Sequence, residues 1–190
     1  MAAVDPKTKF ANAALKLLAK TRWSDLSLLA VARAAKITPT MLQTIARSKP
    51  ALIGLILSRI ETDVAKRYVP DPQSVDARER VFDVVMVWFD VWVAHRAALR
   101  ALYEGLRREP LSLLAARDDV FSAAGFLLAL AEADTGRAGA LKAAGLAGII
   151  GHAIPAFLDD GKDLAATMAS LDRDLARADR FLNWRPQTSG

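Results

Sequence analysis

The chain has 190 residues, 53% of them hydrophobic and 25% charged, with no cysteine. That length buries one sizeable core and at most a small appended module; the composition argues against a disordered chain, and the missing cysteines exclude disulfides and thiolate metal sites. The net charge of +5 is unevenly spread: Met1 to Ile60 carries ten Lys or Arg against two Asp or Glu, a net of +8, whereas the remainder carries 16 basic and 19 acidic residues, a net of −3. A basic head on a mildly acidic body suits a head that meets a polyanion, the alternative being a cluster of solvated cations.

Helical periodicity dominates, and no β-branched run bounded by turns predicts a strand, so the class is all-α. Asp5-Pro6 is a cap and first-turn pair, and Phe10, Ala13, Ala14, Leu17 and Leu18 predict the apolar stripe of a first helix ending near Lys20. Trp23 falls in a link. Ser27 caps a compact second helix, LLAVARAA, with Val31 and Ala32 inward. Lys36-Ile37 make a tight connection, and Thr38 caps a short third helix from Pro39 to about Ala46, on which Thr40, Gln43 and Thr44 share an exposed face while Met41, Leu42 and Ile45 turn inward. Ser48 is placed to cap a fourth helix, with Pro50 in its first turn, that runs towards Arg67.

The two prolines of YVPDPQS mark the clearest break. Long helices are predicted beyond it over about 75–96, 97–108, 117–134, 138–158 and 162–182, with turn-like residues at 134–136 and a frayed RPQTSG tail. About nine helices result. The apolar run Ala143–Leu158 is 16 residues, interrupted by His152 and Pro155, and shorter than the ~20 a membrane span needs, so stable insertion is not expected. The N-terminus lacks a signal-peptide core, which points to the cytoplasm.

Catalysis has little support, and neither cofactor nor metal is expected: there are two His and no Cys, no HExxH pair and no Gly-rich phosphate loop. A helix pair joined by a tight turn in a basic N-terminal unit suits a helix-turn-helix, because the major groove admits an α-helix. Ser27, Val31 and Ala32, then Ala35, Ile37 and Thr38, then Ser48, Lys49 and Leu52 follow a recognisable order. In it the stretch from Ala13 to about Ile60 resembles the TetR family of bacterial transcription regulators, and the whole helical outline is similar.

That resemblance implies a DNA-binding head over 1–50, an effector-binding and dimerisation body over 51–190, and a ligand-responsive repressor acting as a homodimer on a pseudo-palindromic operator in double-stranded DNA. Ser27, Lys36, Thr38, Pro39, Thr40, Gln43, Thr44, Arg47 and Lys49 are its candidate DNA residues. Gln pairs bidentately with adenine, Thr methyls meet thymine methyls, and Lys and Arg hold phosphates. The chain departs from the family at Lys36, where a Gly is usual, and at Gln43, Ile45 and Ala46, where aromatics are usual.

The large side chains of segment 81–103 read first as core. By the resemblance, Trp88, Trp92, His95, Tyr103, Phe121 and Phe126 also line a pocket for a mostly apolar small-molecule effector. Gly145, Gly148 and Gly151 accumulate on one helix at a cost in helix stability, which predicts a close backbone approach; the resemblance implies that it is to a second copy, with Leu171 in the same interface, the alternative being packing within the chain. A second resemblance stands beside the first. Phe157–Leu175 is similar to part of the lipid-binding accessory proteins of ubiquinone biosynthesis, which share the fold without reading DNA.

Overall fold

A computed structural model describes residues 5–71, 74, 76–133 and 139–182; the expected turn at 134–136 and the tail lie outside them. Among the described residues there are ten α-helices and no strand. They are α1 (Pro6–Leu18), α2 (Leu28–Ala35), α3 (Pro39–Ile45), α4 (Ala51–Arg67), α5 (Ala77–Val93), α6 (Arg96–Arg108), α7 (Pro110–Ala115), α8 (Arg117–Leu130), α9 (Gly139–Asp159) and α10 (Ala165–Leu182), with a 3-10 turn at Trp23–Asp25. The all-α expectation holds. The helix beyond the expected nine is α7, whose six residues fall between the helices expected over 97–108 and 117–134.

The chain divides into two compact units, Met1–Ile60 with Trp92–Val120, and Glu61–Val91 with Phe121–Gly190. In the first, Asp5 accepts from the Thr8 N–H at 3.1 Å and starts α1. Phe10, Ala11, Ala14, Leu15 and Leu18 are buried, whereas Leu17 is only half-buried. Ala13 is buried as well, so four of the five expected positions hold, and the buried face is wider than the stripe expected because α1 packs against both α2 and α6. Arg59 Nε on α4 donates to Asn12 Oδ1 at 3.0 Å and ties α4 to α1.

Trp23 organises the same unit. Its side chain is completely buried although it stands in a link, and its Nε1–H donates to Glu109 Oε2 at 3.0 Å. Ser112 donates to the same oxygen at 3.1 Å, and the Lys49 ammonium lies 4.6 Å from the centre of the Trp23 ring. Gly105 makes the close approach possible: a β-carbon there would stand 2.2 Å from Trp23 Cβ and 2.6 Å from its Cγ.

In the second unit α9 and α10 pack along one another. Phe89 stacks on Phe157 at 5.1 Å and meets Trp88 edge-on at 5.1 Å, joining α5 to α9. Arg80 closes the end of α8, its Nε donating to the Ala131 carbonyl at 2.8 Å and its Nη1 to that of Ser74 at 3.0 Å. The helix expected over about 138–158 is α9, 21 residues, long and apolar enough to cross a membrane by length and composition alone. Ala143, Leu146, Ile149, Ile150, Ala153 and Phe157 bury one of its faces against the protein.

The start of α10 depends on Asp160. Its Oδ2 accepts from the Thr167 N–H at 2.7 Å and the Thr167 hydroxyl at 2.8 Å, and its Oδ1 accepts from Gly161 N–H at 2.9 Å. Burial pushes the Asp160 carboxyl up, but these donors outweigh it and hold the group below its ordinary value of 3.8.

Two outcomes follow from this packing. Gly105→Ala removes a mid-helix glycine and would stabilise an exposed helix by about 1 kcal/mol. Here it destabilises by about 1–3 kcal/mol, because the methyl meets Trp23 near its backbone; thermal unfolding gives the sign. A carboxylate with a depressed pKa contributes stability above its unfolded value, and that stability is lost as pH falls through the folded value. Asp160→Asn is therefore less stable than the parent at pH 7, with the gap narrowing as pH falls below 3.8, as denaturant titrations at pH 7 and at acid pH will read.

Candidate nucleic-acid interface

The helix pair is built by three local devices. Ser27 Oγ accepts from the Ala30 N–H at 3.1 Å and starts α2, and Thr38 Oγ1 accepts from the Met41 N–H at 3.3 Å and starts α3. Between them the chain turns at Lys36, which adopts left-handed φ 56°, ψ 43°. The Ile37 N–H donates to the Ala32 carbonyl at 2.9 Å, the Lys36 N–H to the Arg33 carbonyl at 3.1 Å, and the Ile37 side chain is buried. This is the double hydrogen-bonded helix end that glycine normally occupies. The turn has kept its geometry and accepted the strain, of about 1 kcal/mol, of a side chain in that region.

Leu42 and Ala46 anchor α3 to the unit's core, with Ile45 half-buried beside them. Pro39, Thr40, Gln43, Thr44 and Arg47 are exposed, as expected. Met41 is not turned inward: its side chain is 40% exposed at the edge of the same face. The Thr44 hydroxyl donates back to the Met41 carbonyl at 2.8 Å. Ser27 and Thr38 have their side-chain oxygens engaged as helix caps, so their first task is positional.

The expected flanking cations differ in their surroundings. Lys36 and Arg47 are exposed, whereas Lys49 is half-buried, its ammonium shared between the Trp23 ring and the Ser24 carbonyl oxygen at 3.4 Å. Arg22 pairs with Asp25 at 2.9 Å, and that hydrogen bond lowers the Asp25 pKa. The sequence did not reveal Trp23 as the support for this arrangement. A large aromatic in a link and a glycine inside α6 were visible signals, but nothing in their spacing of 82 positions pairs them.

The six residues expected at an effector pocket fall in different settings. Trp92 is fully buried and meets His95 edge-on at 6.3 Å, His95 stands in the turn before α6, and Tyr103 has the Arg107 guanidinium 5.7 Å from its ring centre. Trp88 is buried in the second unit, Phe126 is half-buried and Phe121 is exposed. None of the six lines either of the two described cavities. One, of about 410 Å³, lies among the end of α1, the Trp23 turn and α6, and includes Lys20, Arg22, Arg100, Glu104 and Arg108. The other, of about 460 Å³, is lined by Asp71, Ser74, Arg78, Glu79, Phe82, Asp83 and Asp172. Burial, and then the charges of Glu79 and Asp71, push the Asp83 carboxyl up.

Of the residues expected at a dimer interface, Leu171 is completely buried inside the single chain. Gly145 is half-buried, Gly148 is exposed, and β-carbons added at Gly148 and Gly151 would meet nothing within 4 Å. The close approach predicted for those two glycines does not occur within the chain. Beside them His152 Nδ1 lies 2.5 Å from Asp174 Oδ2, bridging α9 to α10.

Lys36 separates fold strain from function. Lys36→Gly relaxes the left-handed turn and stabilises the protein by about 1 kcal/mol, raising the melting temperature by about 2–4 °C, which calorimetry will measure.

No family model and no curated protein matches the sequence. Among solved structures, the TetR transcriptional regulator from Nitrosomonas europaea ATCC 19718 is similar, with a TM-score of 0.66 and 19% identity over 93% of this chain and 100% of that one. A superposition of that extent with so few shared residues is a likeness of backbone architecture, and on it the chain has the TetR-like fold.

Proposed function

We propose that the protein is a DNA-binding transcription regulator that works in the cytoplasm as a homodimer and represses its target until a small, mostly apolar effector binds the body. One observation carries the DNA reading: α3 presents an exposed face of Thr40, Gln43 and Thr44 on a capped, tightly turned helix pair, with exposed Lys36 and Arg47 at its flanks. A helix held in this way fits the major groove, where Gln43 pairs with an adenine edge and the cations hold phosphates without specifying sequence. The +8 charge of Met1–Ile60 adds sequence-independent attraction. Residues 1–50 are then the reading head and 51–190 the body.

The open side of α9 at Gly148 and Gly151 supports a second copy docking there, which gives the two heads of a palindrome reader. Trp92 and His95, which meet edge-on, mark the proposed effector region. An effector that prefers one spacing of the heads weakens DNA binding by its differential affinity for that state.

A lipid- or isoprenoid-binding accessory role is the second reading. Leu111, Leu113 and Leu114 favour it, being exposed together on α7, as does an α3 without aromatics. A co-purified isoprenoid, together with no DNA binding at any salt, would establish that alternative.

Genomic fragments selected at low salt and footprinted test the DNA reading. The expected result is protection of two half-sites about one DNA turn, ~34 Å, apart. Arg47→Ala weakens every site alike and lowers the salt slope by about 1. Failure to retain any fragment at ~50 mM salt, where phosphate contacts are strongest, defeats the proposal.

A further inference from the structure

We infer that Met41 is a specificity-determining residue of α3, reading the C5-methyl group of thymine, and that the operator half-site therefore places thymine beside the adenine read by Gln43. The inference rests on the DNA reading above.

A single exposed methionine means little on a protein surface. Met41 gains meaning from its place and its neighbour. Leu42, the next residue, is buried, and Ala46 and Ile37 complete the inner side, so an inward site for apolar groups exists and Met41 does not use it. Its side chain stands on the shoulder of the outward face next to Thr44, one turn from the helix start.

Thr44 reinforces the same chemistry. Its hydroxyl hydrogen is committed to the Met41 carbonyl at 2.8 Å, so the side chain has no donor left for a base edge or a phosphate and offers its methyl group and an oxygen lone pair. Gln43, on the other side of the face, retains an amide that can both donate and accept. The outward face is thus asymmetric: one hydrogen-bonding reader on one side, a thioether and a methyl group on the other. In the major groove the only apolar feature that distinguishes a base pair is the thymine C5-methyl. The flexible, polarisable methionine side chain adapts to a methyl group whose position varies from step to step.

The experiment replaces thymine by deoxyuridine, which removes only that methyl group. Fragments selected by the parent protein are footprinted, and each half-site thymine is substituted in turn. At one or two positions the parent loses about fourfold in affinity per methyl, the equivalent of one buried apolar carbon. Met41→Ala and Thr44→Ser, both surface changes that leave the core intact, lower the affinity for the thymine site and shrink the deoxyuridine penalty at their own positions. Gln43→Ala keeps that penalty while relaxing preference at an adenine. A parent protein indifferent to deoxyuridine at every position overturns the inference while leaving the DNA reading standing, and so does a penalty unchanged in Met41→Ala. No bound fragment at low salt overturns both.

Discussion

The contact between Trp23 and Gly105 is the constraint on which the first unit is organised. A tryptophan in a three-residue turn has no helix or sheet of its own to lie against, so it reaches the interior only where another backbone comes close enough to receive it. Gly105 provides that approach in the middle of α6, with a gap that a single methyl group would close. The polar edge of the ring is satisfied by Glu109, which Ser112 also holds, and Lys49 covers its face. The turn before α2, the segment leading into α4 and the far end of α6 are thereby fixed to one side chain. That turn leads directly into α2, which packs on α1 and carries α3 with it.

The helix pair adds its own local cost. Lys36 keeps a backbone geometry that favours glycine, and the hydrogen bonds of the helix end and the burial of Ile37 hold it there. The turn geometry thus comes from hydrogen bonding and burial and does not need a glycine. The outward face of α3 has no such support. Its residues are short, polar or flexible, and only the inner residues Leu42 and Ala46 fasten α3 to the rest. Sequence can vary on the outer face without disturbing the helix, because those side chains take no part in its packing.

The second unit carries a different tension. Helix α9 is apolar enough to be read as a membrane span, yet one face is filled by core contacts and the opposite face is lined by small residues with open space above them. Glycines that meet nothing within the chain weaken the helix without intrachain compensation. A second copy on that face would bring the missing contacts. The His152–Asp174 pair sits at its edge, a polar group well placed to fix register between packed helices.

Residues near one another in the chain determined a good deal by themselves. The caps at Asp5, Ser27 and Thr38, the exact span of α2, the all-α class and the charge split follow from spacing and composition, since a capping side chain and the backbone N–H it accepts from are only three residues apart. α7 was hidden because six residues give too little periodicity to distinguish a short helix from a turn. The broadening of the α1 stripe to Ala11 and Leu15, the outward Met41 and the burial of Leu171 depended on how many neighbours each helix has, which periodicity does not record. The pairing of Trp23 with Gly105 and Glu109 was decided only in three dimensions, because steric fit between groups more than 80 residues apart leaves no pattern along the chain until the backbone brings them together.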